Sequence, residues 1–262
     1  KIMHSKKIIF MGTPLIAKEY LNTLIENNIK VEAVFTQPPK KQSRGMKLTK
    51  SPVHLMAETL GLEVRTPKSF KNNFEEYDFL KNLNIDLVIV VAYGQLIPEK
   101  FLNLSKKGFI NIHASLLPKY RGAAPIQRAI MNMENETGIT IMKINSKLDQ
   151  GQISNSYKIN INEKDSTEYL SEKLSFLAAE KILDNIDDIL ENKITFTEQD
   201  HTKASYAKKI NKNESSINWN FSAKNIIAQI NALDGAYFFY KGSRYKILKA
   251  EINSLKGNPG EV

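Results

Sequence analysis

Residues 7–190 alternate short, β-rich apolar segments with longer amphipathic segments, and this alternation limits the possible folds more than any other feature of the chain. The segment from Leu87 to Ala92 is apolar throughout, which is typical of a strand buried on both faces of a parallel sheet. Five more segments have strand character: Lys7–Met11, Val31–Thr36, Gly108–His113, Ile139–Ile144 and Ile153–Ile161. Since strands that alternate with helices build doubly wound sheets, the sequence predicts an α/β fold with a mostly parallel sheet.

The helical segments between these strands carry start signals of their own. The Ser51-Pro52 pair is a cap followed by proline at the first helical position, and it predicts a helix over residues 52–60. A longer helix is predicted over residues 170–189, because apolar side chains recur there at helical spacing. We expect that helix to be opened by a capping pattern that starts at Asp165.

The end of the chain has a different pattern of polar and apolar residues. Residues 197–216 are polar and are predicted to be a linker, and a short helix is expected at 223–233. Two strands, 237–240 and 245–252, are then predicted to form a hairpin. Because two strands cannot bury a sheet by themselves, we expect the chain to end inside a second, smaller β domain. The predicted boundaries are a large domain at 1–196, a linker at 197–211 and a small domain at 212–262.

Positive charge is concentrated in two places. The net charge is +9, yet residues 37–57 carry five basic side chains and no acid, and residues 205–262 carry nine basic and four acidic ones. The rest of the chain is therefore about neutral. Such patches are expected on a surface that meets a polyanion, although a basic run can also be a solvated loop.

Several classes of protein are excluded or disfavoured. There is no cysteine, so the chain has no disulfide framework and no thiolate nucleophile, which is compatible with a reducing compartment. The longest apolar run, Leu87–Tyr93, is seven residues long, far below the ~20 that cross a bilayer. The apolar stretch after Lys7 is also too short for a signal peptide. We therefore expect a cytoplasmic protein that does not contact a membrane.

The usual cofactor motifs are missing as well. No two of the 12 glycines are separated by a single residue and none precedes a lysine, which removes the dinucleotide fingerprint and the phosphate-binding loop. The four histidines are far apart in sequence, so we expect no metal site.

One strand end carries a pair of groups suited to carbonyl chemistry. Asn111 and His113 are two residues apart in a predicted strand, so their side chains share a face. An amide donor and an imidazolium can together stabilise negative charge that develops on a carbonyl oxygen. The spacing is common, however, and both residues are also ordinary at a strand end.

A carboxylate that could support His113 is Asp149, which follows a predicted strand and precedes Gly151 by two positions. A nearby carboxylate orients an imidazole and favours its charged form. Asp149 could equally be a turn residue. Both interpretations remain open on the residues alone.

Five segments of the sequence carry a resemblance to a known family. They are IIFMGTP at 8–14, FTQPPKKQSRGMKLTKSPV at 35–53, VVAYGQLIP at 90–98, NIHASLLPKYRGAAPIQRAI at 111–130 and KLDQGQI at 147–153. In this order they resemble the folate-dependent formyltransferases. The FMGTP start and the basic segment at 37–50 resemble the methionyl-tRNA formyltransferases within that family.

The resemblance implies a Rossmann-like, doubly wound catalytic domain followed by an OB-like, tRNA-binding domain that is incomplete in this chain. It implies transfer of a formyl group from 10-formyltetrahydrofolate to initiator methionyl-tRNA, without a metal and by a monomer. The implied catalytic residues are Asn111, His113 and Asp149. The implied folate contacts are Ser115, Leu116, Leu117, Pro118, Ala92, Tyr93 and Gly94, and the implied tRNA contacts are Lys40, Lys41, Arg44 and Lys47.

The sequence departs from the family pattern at Gln150, where a threonine is common between the aspartate and the glycine. Alternatives remain open. They are a formyltransferase of the same fold that acts on glycinamide ribonucleotide or an amino sugar, a hydrolase that releases formate from the folate, and a non-catalytic RNA-binding module.

Overall fold

The computed structural model describes residues 6–42, 47–253 and 257–261, with only the backbone of Gln42 and Lys47. These residues form two compact units. Unit 1 contains the chain up to His113, then Thr140–Asn155 and Ser175–Gln199, and unit 2 contains Ala114–Ile139, Ser156–Leu174 and the chain from Asp200 onward. The domain boundaries expected at 1–196, 197–211 and 212–262 stay a prediction.

The expected α/β architecture is confirmed, with a mostly parallel sheet. In chain order the strands are β1 (Ile8–Gly12), β2 (Val31–Phe35), β3 (Lys40–Gln42), β4 (Lys47–Thr49), β5 (Val64–Arg65), β6 (Leu87–Val91), β7 (Phe109–His113), β8 (Arg121–Gly122), β9 (Glu136–Lys143), β10 (Ile153–Asn160), β11 (Tyr206–Ala207), β12 (Ala236–Tyr240) and β13 (Ser243–Ile247). The main sheet has seven strands in the order β10-β9-β7-β6-β1-β2-β5. β1 pairs in parallel with β2 and β6, and β7 pairs in parallel with β6 but antiparallel with β9.

The two most apolar strands lie in the middle of this sheet. Every residue of β1 and β6 is buried, as the sequence predicts for strands covered on both faces. The core beside them is rich in aromatic side chains, and the rings of Phe70 and Phe101 meet edge to face with centroids 4.9 Å apart. Burial of these strands holds β7, and hence its terminal residues, in a fixed position.

The helices are α1 (Leu15–Glu26), α2 (Pro52–Thr59), α3 (Phe74–Leu83), α4 (Glu99–Leu102), α5 (Pro125–Met131), α6 (Thr167–Leu190) and α7 (Ala223–Ala232). α2 begins as predicted, because the Ser51 hydroxyl accepts a hydrogen bond from the His54 N–H at 3.0 Å. The expected cap of α6 at Asp165 is wrong. The Ser166 hydroxyl accepts from the Tyr169 N–H, while the Asp165 carboxylate accepts from the Asn162 N–H in the preceding turn.

Unit 2 contains the predicted hairpin, made by β12 and β13. Its turn is Lys241-Gly242, both with positive φ, so that Ser243 and Arg244 belong to the strand instead of the turn. β13 ends at Ile247, earlier than the expected Ile252. The polar stretch predicted as a linker carries two short 3-10 helices, His201–Lys203 and Lys212–Ser215, and β11, which pairs with β8.

Candidate active site

β7 brings two polar side chains to one face of the sheet. Asn111 lies opposite Val90 of β6, and His113, the last residue of β7, lies opposite Thr140 of β9. Residues two apart in a strand point to the same side, as expected for this pair. His113 is buried and Asn111 is half-buried.

Asp149 reaches this pair from a distant part of the sequence. Its Oδ2 lies 3.8 Å from Nδ1 of His113, and the two side chains are only 13% and 8% exposed. This separation is longer than a hydrogen bond but within ion-pair range when the imidazole is protonated. The structure thus brings together Asn111, His113 and Asp149, the three residues singled out from the sequence.

The Asp149 loop, residues 144–152, has to double back to reach His113. Because β9 is antiparallel to β7, the loop starts at the amino end of β7, where the Ile144 N–H donates to the Phe109 carbonyl at 2.7 Å. At its far end the Lys143 N–H donates to the Gln152 carbonyl at 2.8 Å. The loop therefore leaves and rejoins the sheet near one point, and Asp149 lies between these two attachments.

Two backbone features and one side chain shape the Asp149 loop. Asp149 has φ of 50°, in the left-handed region, and a Cβ on Gly151 would lie 1.8 Å from the Lys143 carbonyl oxygen. The buried Gln199 donates from Nε2 to the carbonyls of Asp149 and Gly151, at 2.9 and 2.7 Å. Sequence reasoning missed Gln199, since a buried glutamine inside a polar stretch has no distinguishing pattern.

The Ala92 loop, residues 92–94, follows β6. Ala92 has φ of 46° and Gly94 has φ of 80°, and both residues are exposed. The Tyr93 ring instead lies in the core, where burial raises the pKa of its hydroxyl well above the usual range. The Tyr93 carbonyl accepts from Thr13 Oγ1 at 2.9 Å and from Gln37 Nε2 at 3.1 Å, and Gln37 Nε2 also donates to the Gly94 carbonyl at 2.9 Å.

In unit 2, residues 115–118 lie in a segment of bends and turns, in which the Lys119 N–H donates to the Leu116 carbonyl at 3.1 Å. The buried Ser115 donates from its hydroxyl to the Lys119 carbonyl at 2.7 Å, so this hydroxyl stabilises the turn. Leu117 is buried, Leu116 and Pro118 are half-buried, and the Leu117–Pro118 peptide bond is cis.

A second feature of the same motif lies further along unit 2. The Tyr120 hydroxyl donates to Glu134 at 2.7 Å and accepts from Asn132 at 3.0 Å. Burial, followed by the Glu134 carboxylate, raises the pKa of Tyr120 to about 12. The motif beyond His113 thus carries a hydrogen-bonded tyrosine that stays protonated at neutral pH.

The basic segment is partly described. Lys40 and Lys41 are exposed on β3, which pairs antiparallel with β4. Lys40 Nζ donates to Gln37 Oε1. Arg44 lies outside the described residues, and Lys47 is described only as the first residue of β4.

Two negative findings concern the described ranges only. No cluster of three or more histidine, aspartate or glutamate side chains there has the geometry to hold a metal ion. No helix within these ranges combines the length and the apolar character needed to span a bilayer.

Comparison with known proteins adds family information. A family model described as formyl transferase matches residues 6–186, and one described as formyl transferase, C-terminal domain, matches residues 209–262. A methionyl-tRNA formyltransferase of Pelagibacter ubique (strain HTCC1062) is 58% identical over 261 residues, covering 98% of this chain and 84% of the relative. Another, from Caldanaerobacter subterraneus subsp. tengcongensis, is 43% identical with the same coverage.

Solved structures share the fold. An N-formyltransferase from Helicobacter canadensis, solved with folinic acid and dTDP-3-aminofucose, has a TM-score of 0.72 and 25% identity over 93% of this chain and 87% of its own. A 4-N formyltransferase from Francisella tularensis has a TM-score of 0.73 and 22% identity over 96% of this chain and all of its own.

Proposed function

The chain belongs to the methionyl-tRNA formyltransferase family, and on that premise we propose that it transfers the formyl group of 10-formyltetrahydrofolate to the α-amino group of initiator methionyl-tRNA. The observation that carries this proposal is the Asp149 carboxylate 3.8 Å from His113, beside Asn111 on the same strand face. An amide donor, an imidazole and a carboxylate are suited to formyl transfer, because they can stabilise the charge on the formyl oxygen and accept the proton of the amine.

The residues fit a carbonyl-bearing donor. Across residues 6–42, 47–253 and 257–261, no hydrogen bond is made by the Asn111 side-chain amide, which leaves this donor for a substrate oxygen. The bound folate supplies an activated formyl carbon. As the amine nitrogen attacks that carbon, negative charge develops on the formyl oxygen, and the bond from the carbon to the folate nitrogen then breaks.

Each of the three residues has a role in that sequence. The Asn111 amide donates a hydrogen bond to the formyl oxygen, and protonated His113 stabilises its charge. Asp149 stabilises the imidazolium and, through a water molecule, accepts the proton that the attacking amine loses. Protonated His113 gives its proton to the folate nitrogen as that nitrogen leaves, and the proton that Asp149 accepted returns to the imidazole, so charge and protons balance over the reaction.

Binding of the two substrates is proposed for other segments. The proposed folate contacts are Ala92, Tyr93 and Gly94, together with Ser115, Leu116, Leu117 and Pro118. Since the Tyr93 ring is buried, that residue would contribute its backbone.

The proposed phosphate contacts for tRNA are Lys40, Lys41, Arg44 and Lys47. They are supported by the exposure of Lys40 and Lys41 and by the absence of acids from residues 37–57. Because charged tRNA is used in translation, we expect the protein to act in the cytoplasm. The monomeric state is a separate expectation, which follows from the family resemblance.

The experiment is a formylation assay with four acceptors: methionyl initiator tRNA, methionyl elongator tRNA, an amino-sugar nucleotide and water alone. We expect N-formylmethionyl-tRNA from the initiator tRNA, much less product from the elongator tRNA, and no activity with the other two. Formylation of the sugar instead would assign the chain to the acceptor class of its structural neighbour, and formate release without an aminoacyl product would identify a hydrolase. His113→Ala serves as the catalytically impaired control.

A further inference from the structure

We propose that Gln199 is a positioning residue for the formyl transfer, because its side-chain amide fixes the Asp149 loop and so sets where the Asp149 carboxylate meets His113. This inference rests on the proposed function and adds a residue to it. Gln199 is 3% exposed, and its Nε2 donates to two carbonyls of the same loop, those of Asp149 and Gly151.

The Asp149 loop needs such a support because of its path. It starts at the amino end of β7, at the bond from Ile144 to Phe109, and His113 is at the carboxyl end of the same strand. The loop therefore has to bring the Asp149 side chain back along β7 to His113, although it is not one of the strands paired with β7. Asp149 also holds a left-handed φ of 50°, which is unfavourable for a residue with a Cβ.

Gln199 has its own fixed position. The preceding residues pair with the start of β10 through two hydrogen bonds between Ile153 and Thr197, each 2.9 Å long. Gln199 is thus anchored to the sheet edge, while its amide reaches the loop. One amide that donates both of its N–H groups to carbonyls two residues apart fixes the orientation of the turn between them.

The geometry of the ion pair makes this orientation chemically important. Asp149 Oδ2 and His113 Nδ1 are 3.8 Å apart, so a small movement of the loop either closes the gap to a hydrogen bond or takes the carboxylate out of contact. A misplacement of 1 Å can cost about 100-fold in rate when the group acts on the reacting atoms. Gln199 touches neither substrate in this scheme, and its effect passes through Asp149.

The test is a double-mutant cycle. Gln199→Met keeps the length of the side chain and removes both donors, and Asp149→Asn removes the carboxylate charge. We expect Gln199→Met to lower kcat by about 10–100-fold with little change in KM for methionyl-tRNA. In the Asp149→Asn background the same substitution should lower kcat less than about 3-fold, because the group it positions is already gone.

A matched control is Gln152→Met. Gln152 lies at the end of the same loop, but its Nε2 donates to the Glu198 carboxylate in an exposed pair, and we expect kcat within 2-fold of the unmodified protein. Gln199→Asn is the second variant for the case that Gln199→Met fails to fold. Its shorter amide keeps the donors and should give an intermediate kcat with the same dependence on Asp149.

The outcomes distinguish a failure of the positioning role from a failure of the proposed function. An equal loss of kcat in both backgrounds, or a normal kcat for the folded Gln199 variants, would overturn the positioning role. If the unmodified protein formylates no tRNA, the proposed function itself fails, and that result is independent of Gln199. If the unmodified protein is active and the cycle shows no coupling, only the present inference is lost.

Discussion

The Asp149 loop and the Ala92 loop are built on the same plan. Each contains a non-glycine residue at positive φ with a glycine two positions later, and each is held by one glutamine that donates to two of its carbonyls. The plan solves one problem in both cases, since a chain that leaves the regular sheet must find other donors for its carbonyl groups.

The two loops differ in the reason why each needs its glycine, and in the burial of the glutamine that holds each loop. Gly94 is required by its φ of 80°, whereas Gly151 is required by space, because a Cβ there would meet the Lys143 carbonyl oxygen. Gln199 is buried, while Gln37 is half-buried and also contacts the exposed Lys40. The Asp149 loop therefore has the more enclosed anchor of the two, and we expect it to be the less adaptable loop.

The largest effect should come from the carboxylate that the Asp149 loop carries. We expect Asp149→Asn to lower kcat by about 100- to 10,000-fold, the range found for groups that move or stabilise a proton. KM for methionyl-tRNA should change little, because the carboxylate acts on charge that develops during transfer. Single-turnover kinetics measure this directly. Glu198→Gln, which changes an exposed carboxylate of the same unit, is the control, and an equal loss there would contradict the assignment.

The second-largest effect is expected at Gly151, where the Asp149 loop lies very close to the backbone of β9. Gly151→Ala places a Cβ 1.8 Å from a backbone oxygen, so the loop or β9 must move. We expect the free energy of unfolding to fall by about 1–3 kcal/mol, the usual cost of overpacking. kcat should fall as well, since the same movement displaces Asp149. Gly257→Ala is the comparison, because its Cβ would meet only the end of the Glu261 side chain at 3.4 Å. A normal kcat for Gly151→Ala would show that the Asp149 loop tolerates displacement.

The equivalent change in the Ala92 loop should affect binding instead of chemistry. Gly94→Ala forces an L-residue into the left-handed region, at a cost of about 1–2 kcal/mol, and its Cβ would displace the flexible Gln37 amide. We expect KM for the folate donor to rise severalfold while kcat at saturating donor is kept. Gly61→Ala, which imposes the same left-handed strain just after α2 where a Cβ meets open space, should leave both constants near normal. Loss of kcat alone would remove the distinction between the loops.

The smallest effect is expected at the second anchor. Gln37→Ala removes two hydrogen bonds to carbonyls of the Ala92 loop, but the exposed ends of this loop can bind water in their place. Because water replaces part of these bonds, we expect a net loss no larger than that of one such bond, about 0.5–1.5 kcal/mol, so KM for the folate donor should rise about 2- to 10-fold. Comparison with Gln199→Met then measures how much burial adds to an otherwise similar anchor. An effect on kcat as large as that of Gln199→Met would contradict the comparison.

Many of the strands and helices around the candidate site could be predicted from local sequence patterns. The apolar run of β6, the cap at Ser51 and the alternation that brings Asn111 and His113 to one face each depend on residues close together in the chain. The direction of β9 could not be predicted, since β9 is buried on both faces, which is typical of parallel strands, yet it pairs antiparallel with β7. The path of the Asp149 loop and the role of Gln199 follow from that direction, so they became visible only in the structure.

The antiparallel pairing of β7 with β9 makes enzymatic activity a measure of correct sheet assembly. His113 lies opposite Thr140, and the Asp149 loop leaves the end of the strand to which Thr140 belongs. A slip of one residue between these strands would shift β9 by about 3.3 Å and turn its side chains to the other face. Helix content and compactness would hardly register such an error. A refolded sample with native spectra and low turnover would therefore point to a register fault between β7 and β9.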